Sequence, residues 1–252
     1  KLFEENPEVC YTLEKSDLSK FLPDRKKNSH KGSYGKILMI TGSKGMSGAA
    51  YLSARAAYIS GGGLVQIYTE ESNRTILQQL LPEAIVSTYT EYEEEKLQSL
   101  LKWADVICIG CGLGKSRTAG QILSYLMKYA EVPCVIDADG LNLLADHMEL
   151  LPKEKKPFVL TPHMKEMAGL LGCTIPELGK NRFAALKEFT DSYGVVCVLK
   201  DARTLVAGKD RQMFLNTAGN SAMAKAGSGD VLAGVITGLL AQHMKVYEGT
   251  VL

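Results

Sequence analysis

Short, mostly apolar runs recur along this chain, and most are followed by a glycine-containing loop and then by residues with helical periodicity. The runs at 37–41, 64–69, 84–88, 105–110, 132–137, 157–162 and 194–200 are mostly apolar, with that at 37–41 continuous up to Thr41. A strand that alternates apolar and polar residues can face water on one side. A continuous apolar strand must be covered on both, which calls for a parallel sheet between two helical layers. Helices are expected at 49–60, 72–81, 92–103, 118–129 and 177–192, the last with Phe183, Leu186 and Phe189 along one side. Residues 205–207 and 213–215, separated by a turn at 208–210, predict a hairpin. The fold class is therefore α/β, a three-layer α/β/α domain with a mostly parallel central sheet and a late antiparallel hairpin. Residues 1–30 are expected as a polar leader or interdomain junction, and 31–252 as one domain.

In open sheets of this kind ligands bind beyond the carboxyl ends of the strands. The candidate site is thereby confined to the loops at 42–50, 110–114, 137–142, 161–166, 200–204 and 227–230. Composition narrows the partners. A net charge of +1 with 23% charged residues leaves no electrostatic footprint for nucleic acid or an anionic membrane. The apolar runs stop short of the roughly 18 residues of a membrane span. The expectation is a soluble, cytoplasmic protein acting on a small molecule. Of the six cysteines, Cys108, Cys134 and Cys197 lie inside apolar runs, as small buried hydrophobes do. Cys108 and Cys111 form a CxxC, but with no second pair and no adjacent histidine the spacing favours packing over zinc or redox chemistry.

Gly227, Gly229 and Asp230 open an apolar helical stretch. Glycine permits positive φ and close approach, and backbone N–H groups at a helix start suit phosphate oxygens. A carboxylate there is repelled by a bound phosphate. Its presence makes sense for a base taking the proton of a hydroxyl that attacks phosphorus; the plainer role is a first-turn acid. The loop at 110–116 is neither a Walker nor a Rossmann loop: Ile109 stands where the first Walker glycine belongs, and Lys115 where the third Rossmann glycine belongs. Asp137 and Asp139, at a strand end, could meet magnesium or substrate, or hydrogen-bond the turn. His163 begins a helix, where capping is a frequent role. Lys200 ends a buried strand and needs an anionic or carbonyl partner.

Seven segments in order, HKGSYGK, GSKGMSGAA, GCGLGKS, DADGLN, LTPHMKEM, VLKDART and GNSAMAKAGSGDVLAG, resemble the NAD(P)H-hydrate dehydratases of the ribokinase-like superfamily. The resemblance covers residues 30–245. It implies ADP- or ATP-dependent repair of hydrated NADH or NADPH, with ADP favoured: the added hydroxyl is phosphorylated and phosphate then leaves as the ring double bond returns. By the same resemblance Asp230 is the base, and Ala49, Gly112 and His163 line the hydrate pocket with it. Lys200, Asp201, Ala202, Arg203, Thr204, Gly227 and Gly229 hold the nucleotide, Mg2+ bridges its phosphates with no protein ligand assigned, and the assembly is a homotetramer. Relatives are often fused to an epimerase and continue past residue 252, so residues 1–30 fit a junction to an upstream domain equally with a leader, and the domain over 31–252 is expected to be truncated at its C-terminus. Two departures from the family pattern are His163-Met-Lys-Glu166 in place of His-Pro-Gly-Glu, and Cys111 where proline is common. A small-alcohol kinase of the same superfamily, such as a hydroxymethylpyrimidine or hydroxyethylthiazole kinase, would share Gly227 to Asp230. A non-catalytic nucleotide-binding module is the reading outside enzymology.

Overall fold

The apolar runs become strands of one sheet, and the central ones are buried on both faces, while the edge strand at 85–89 is not. The computed structural model describes residues 9–152 and 156–252, and within them ten strands, β1 to β10, form a single sheet. In chain order these are Cys10–Tyr11, Lys36–Ile40, Leu64–Glu70, Ile85–Tyr89, Val106–Ile109, Cys134–Ile136, Phe158–Leu160, Val196–Leu199, Leu205–Gly208 and Met213–Leu215. The α-helices among the described residues, α1 to α11, are Lys15–Phe21, Ser47–Ile59, Arg74–Leu80, Glu94–Trp103, Arg117–Tyr129, Asp139–Ala145, Met164–Leu171, Ile175–Lys180, Arg182–Tyr193, Ser228–Ala241 and Val246–Val251. The strand order is β1-β10-β9-β8-β7-β6-β5-β2-β3-β4. Only β9 runs against its neighbours, antiparallel to both β8 and β10, so the expected late hairpin is present.

Period-two alternation sends each strand's residues into two separate cores. From β2, Leu38 and Ile40 join Leu97 of α4 and Ile122 of α5, while Ile37 and Met39 join Ala50 and Ala54 of α2 and Ile236 and Leu240 of α10. These are the two interfaces of a three-layer domain. Small residues let α2 and α10 lie close. A methyl group at Gly234 would sit 2.2 Å from the Ser53 carbonyl oxygen, and one at Gly238 would sit 2.5 Å from that of Ala57.

Two expectations are corrected. The long helix over 177–192 is two helices, parted at Asn181 with φ −144 and ψ 38. A capping box begins α8 earlier: the Thr174 hydroxyl accepts from the Glu177 N–H, and the Glu177 carboxylate accepts from the Thr174 N–H. Glu177 is thus a third-position cap rather than a start, and Phe183, expected on the buried side, is 43% exposed beneath the Arg182 guanidinium. Residues 139–142, expected only as a turn, open α6, because Leu141 and Leu144 are drawn into the core. Within the stretch expected as a polar leader, Cys10–Tyr11 pairs in parallel with Met213 and Phe214 as an edge of the sheet. A two-residue strand carries no periodicity to detect. The first eight of those residues lie outside the described part of the chain.

Candidate active site

The sheet order reverses at β2, which has β3 on one side and β5 on the other. Loops leaving β2 and β5 at their carboxyl ends diverge toward opposite layers, and such a switch point opens a crevice. Here the two glycine loops are tied together at its floor: the Gly42 N–H donates to the Cys111 carbonyl at 2.9 Å and the Ser43 N–H to the Gly112 carbonyl at 2.6 Å. Gly112 has φ +60, and a methyl group on it would lie 2.8 Å from Ala49 Cβ. Two residues assigned to the hydrate pocket by resemblance are therefore in contact across the crevice.

The β6 end supplies two acids pointing apart. Between them Ala138 takes φ 47, ψ −116, a conformation costing about 1–3 kcal/mol for a residue with a Cβ. That turn sends Asp139 to accept the Gly114 N–H at 2.8 Å, tying down the second glycine loop. Asp137 turns inward and is 2% exposed; its Oδ1 accepts from Thr161 Oγ1 at 2.7 Å and from Lys200 Nζ at 2.7 Å. Lys200 thus has the anionic partner that its place at a strand end requires, and it faces Gly229, whose position for a Cβ is 3.7 Å from both Lys200 Nζ and Asp137 Oδ2.

Gly227 caps α10 in the left-handed region at φ 87, placing Asp230 in the first turn, half-buried. Asp230, Asp137 and the buried Cys111 each bring an atom within 4.8 Å of the other two. Burial pushes the Asp230 carboxyl upward, as does the Asp137 charge; the Cys111 thiol and the Lys200 ammonium pull the other way. A raised carboxyl is a stronger base, the property a proton acceptor needs. The thiol of Cys111 is itself held well above its ordinary range, first by hydrogen bonding with Cys108 and then by burial. Both CxxC cysteines are fully buried and free, in keeping with packing.

His163 caps α7: its Nδ1 accepts the Glu166 N–H at 3.1 Å, and Glu166 Oε2 accepts the His163 N–H at 2.8 Å. A neutral ring so held carries its proton on Nε2. Glu166, whose side chain is 8% exposed, has its carboxyl raised by burial, against the opposing His163 N–H and Lys200 charge. A parallel bridge between His163 and Lys200 brings this cap to the Asp137 pair. After Lys200 the chain leaves the sheet. Asp201 pairs with Arg182 at 2.7 Å, Arg203 Nη1 donates to the Thr217 carbonyl at 3.3 Å, and the Thr204 carbonyl accepts the Asn216 N–H at 2.8 Å. The segment Lys200 to Thr204 is thereby anchored to the connection that leads to Gly227.

The sequence left Asp137 with several roles open and did not single out Thr161, Cys111 or Glu166 as parts of one site. Each needs a neighbour from another strand to acquire meaning. The signal that existed was position, at the carboxyl ends of apolar runs. The Cys111, Asp137 and Asp230 donor set does not fit a protein-held magnesium ion. Magnesium demands octahedral oxygen ligands, whereas one donor is a protonated thiol and Asp137 Oδ1 already holds Thr161 and Lys200.

Comparison with known proteins identifies the family. The family model described as NAD(P)H-hydrate dehydratase matches residues 37–251. An ADP-dependent (S)-NAD(P)H-hydrate dehydratase of Neisseria meningitidis is 39% identical over 89% of this chain and 75% of its own length. The chain spans less than half of the bifunctional NAD(P)H-hydrate repair enzymes that it also matches, 44% of that from Moorella thermoacetica at 38% identity over 89% of this chain. Among solved structures, a ribokinase-like superfamily protein of Enterococcus faecalis superposes with TM-score 0.85 at 32% identity, covering 95% of this chain and 84% of that one. An ADP/ATP-dependent NAD(P)H-hydrate dehydratase of Bacillus subtilis, co-crystallized with ATP/Mg2+, gives TM-score 0.80 at 30% identity, covering 97% and 86%. The fold is ribokinase-like, and the chain belongs to the NAD(P)H-hydrate dehydratase family.

Proposed function

We propose that this chain dehydrates the S epimer of NAD(P)H hydrate at the expense of a nucleotide, ADP in preference to ATP. The observation that carries the reading is Asp230: a half-buried carboxylate in the first turn of α10, beside Asp137, whose ion pair with Lys200 joins the ends of β6 and β8. The preference for ADP is supported by the name of the Neisseria relative. Ala49, Gly112 and His163 line the hydrate pocket with Asp230, and the nucleotide lies on Lys200, Asp201, Ala202, Arg203, Thr204, Gly227 and Gly229.

Asp230 accepts the proton of the hydrate's hydroxyl as that oxygen forms a bond to the terminal phosphorus of the nucleotide. The bond from phosphorus to the nucleotide's bridging oxygen breaks, and the shortened nucleotide departs. N–H groups at the start of α10 and the Lys200 ammonium face the phosphate charge. Hydroxide is a poor leaving group and phosphate a good one. Once phosphorylated, the C–O bond breaks with the ring nitrogen's electron pair behind it, and loss of a proton from the neighbouring carbon restores the double bond. His163, whose Nε2 lies 3.5 Å from Glu166 Oε1, presents its ring to the hydrate from the start of α7. Magnesium, bound with the nucleotide, would offset the charge of its phosphates; the set of Cys111, Asp137 and Asp230 does not suit it as a protein-held ion. A cytoplasmic homotetramer completes this reading.

The test is incubation with hydrated NADH, magnesium and either ADP or ATP, following dihydronicotinamide absorbance together with phosphate release. Absorbance returning in step with phosphate is expected, faster with ADP. A stable phosphorylated product with no recovery of absorbance would replace this reading with that of a small-alcohol kinase.

A further inference from the structure

Cys111 stands where the family pattern commonly has proline, and what its side chain meets goes beyond packing. Its Sγ is fully buried and 3.8 Å from Asp137 Oδ2, and it lies within 4.8 Å of an Asp230 carboxylate oxygen. Oδ1 of Asp137 is already taken by two strong donors, Thr161 and Lys200, so Oδ2 is the face of that acid that looks toward Asp230. The groups around this point come from every element that packs on it: Cys108 from β5, Asp137 from the β6 end, Asp139 from α6, Lys200 from the β8 end and Asp230 from α10. Among them the thiol is the neutral donor set between the two carboxylates.

We propose that Cys111 is a positioning residue for the base, its S–H rotating between Asp230 and Asp137 Oδ2 so that the Asp230 carboxylate is held in place while ionised and released when it takes up the substrate's proton. The inference rests on the assignment of Asp230 as the base. With Asp230 ionised, the S–H donates to it and steadies one rotamer. With Asp230 protonated, that carboxyl needs no donor, and the S–H turns to Oδ2 of Asp137. Burial and the neighbouring Cys108 keep sulfur protonated, so it remains a donor through the cycle and does not compete as a nucleophile.

Two measurements test this. In pH profiles of kcat/KM for the hydrate, Cys111→Ala is expected to move the acid limb upward by about one pH unit, losing about tenfold below it. Its plateau at higher pH is expected to fall as well, because there the ionised Asp230 has lost the donor that steadies it. Cys111→Ser, which keeps a rotatable donor, is expected to return the limb to its place. A lowered plateau with an unmoved limb, in Ala and Ser alike, means a packing role and overturns the proposal. The second measurement needs no turnover: the S–H stretching band of Cys111, isolated by infrared difference between wild type and Cys111→Ala across a pH titration. It is expected to shift as Asp230 titrates and to lose that shift in Asp230→Asn. A band indifferent to both pH and Asp230→Asn overturns the proposal independently, whereas wild type failing to restore NADH while the band still shifts defeats the assigned reaction and not the contact.

Discussion

Lys200 Nζ lies 2.7 Å from Asp137 Oδ1, joining the ends of β8 and β6 across the intervening β7 through an ion pair whose acid is 2% exposed. Removing one partner of a buried pair strands the other charge. Lys200→Met is expected to cost about 3–5 kcal/mol of stability by denaturant unfolding. The double variant Lys200→Met with Asp137→Asn should recover much of that loss, since neither charge then remains. A double variant no more stable than the single one would show that the ammonium's packing, and not the pair, matters there. Nucleotide affinity should fall in both variants, because Lys200 faces Gly229.

Asp230→Asn separates chemistry from stability. Turnover should be abolished while nucleotide binding is retained, and undiminished activity would sink the assignment of the base. Because the Asp230 carboxyl is raised, chiefly by burial, the folded chain binds an extra proton between the ordinary Asp range and the raised value. The contribution of this group to stability therefore falls as pH rises through that window, and at neutral pH the ionised group opposes folding. The variant should thus be more stable than wild type at neutral pH, with the gain vanishing below about pH 4, where the acid is protonated in both states. Thermal unfolding at several pH values reads this out.

Gly238→Ala places a methyl group 2.5 Å from the Ala57 carbonyl oxygen and 2.9 Å from Ser60 Cβ. Backbone cannot rotate away as a side chain does, so α10 must part from α2. The helix-propensity gain of about 1 kcal/mol is outweighed, and a net loss of about 1–3 kcal/mol is expected in equilibrium unfolding. Because Asp230 rides on the same helix, kcat should fall as well.

Gly112→Ala meets two obstacles. At φ +60 a Cβ costs about 1–2 kcal/mol, and this one would press on Ala49 at 2.8 Å. The crevice narrows on the hydrate side and not on the side of Lys200. Steady-state kinetics should show a raised KM for the hydrate, with nucleotide affinity measured by calorimetry nearly unchanged.

Much of the architecture was legible because strand burial is written locally. Residues 106–109 are apolar throughout and buried throughout, and 205–208 with 213–215 form the hairpin their turn implies. Where the local signal was weak or misleading, structure departed from it. Gly140 and Asn142 disguised α6, whose Leu141 and Leu144 face the core. Asn181, at φ −144 and ψ 38, cuts the stretch expected as one helix in two, just after Gly179 in the last turn of α8.

The site divides in the same way. The sequence by itself determined that Asp230 follows Gly227 and Gly229 at a helix start, that Lys200 ends a buried strand, and that the glycine loops follow strands, since all three follow from period and from the conformations glycine permits. Tertiary structure alone decided that Lys200 answers Asp137, 63 positions away, that Gly112 touches Ala49, and that the Cys111 sulfur stands between two acids. These relations depend on which strands lie side by side. That order is fixed by how two helical layers cover a sheet whose direction of growth reverses at β2, a choice made by packing over the whole chain and carried by no segment alone.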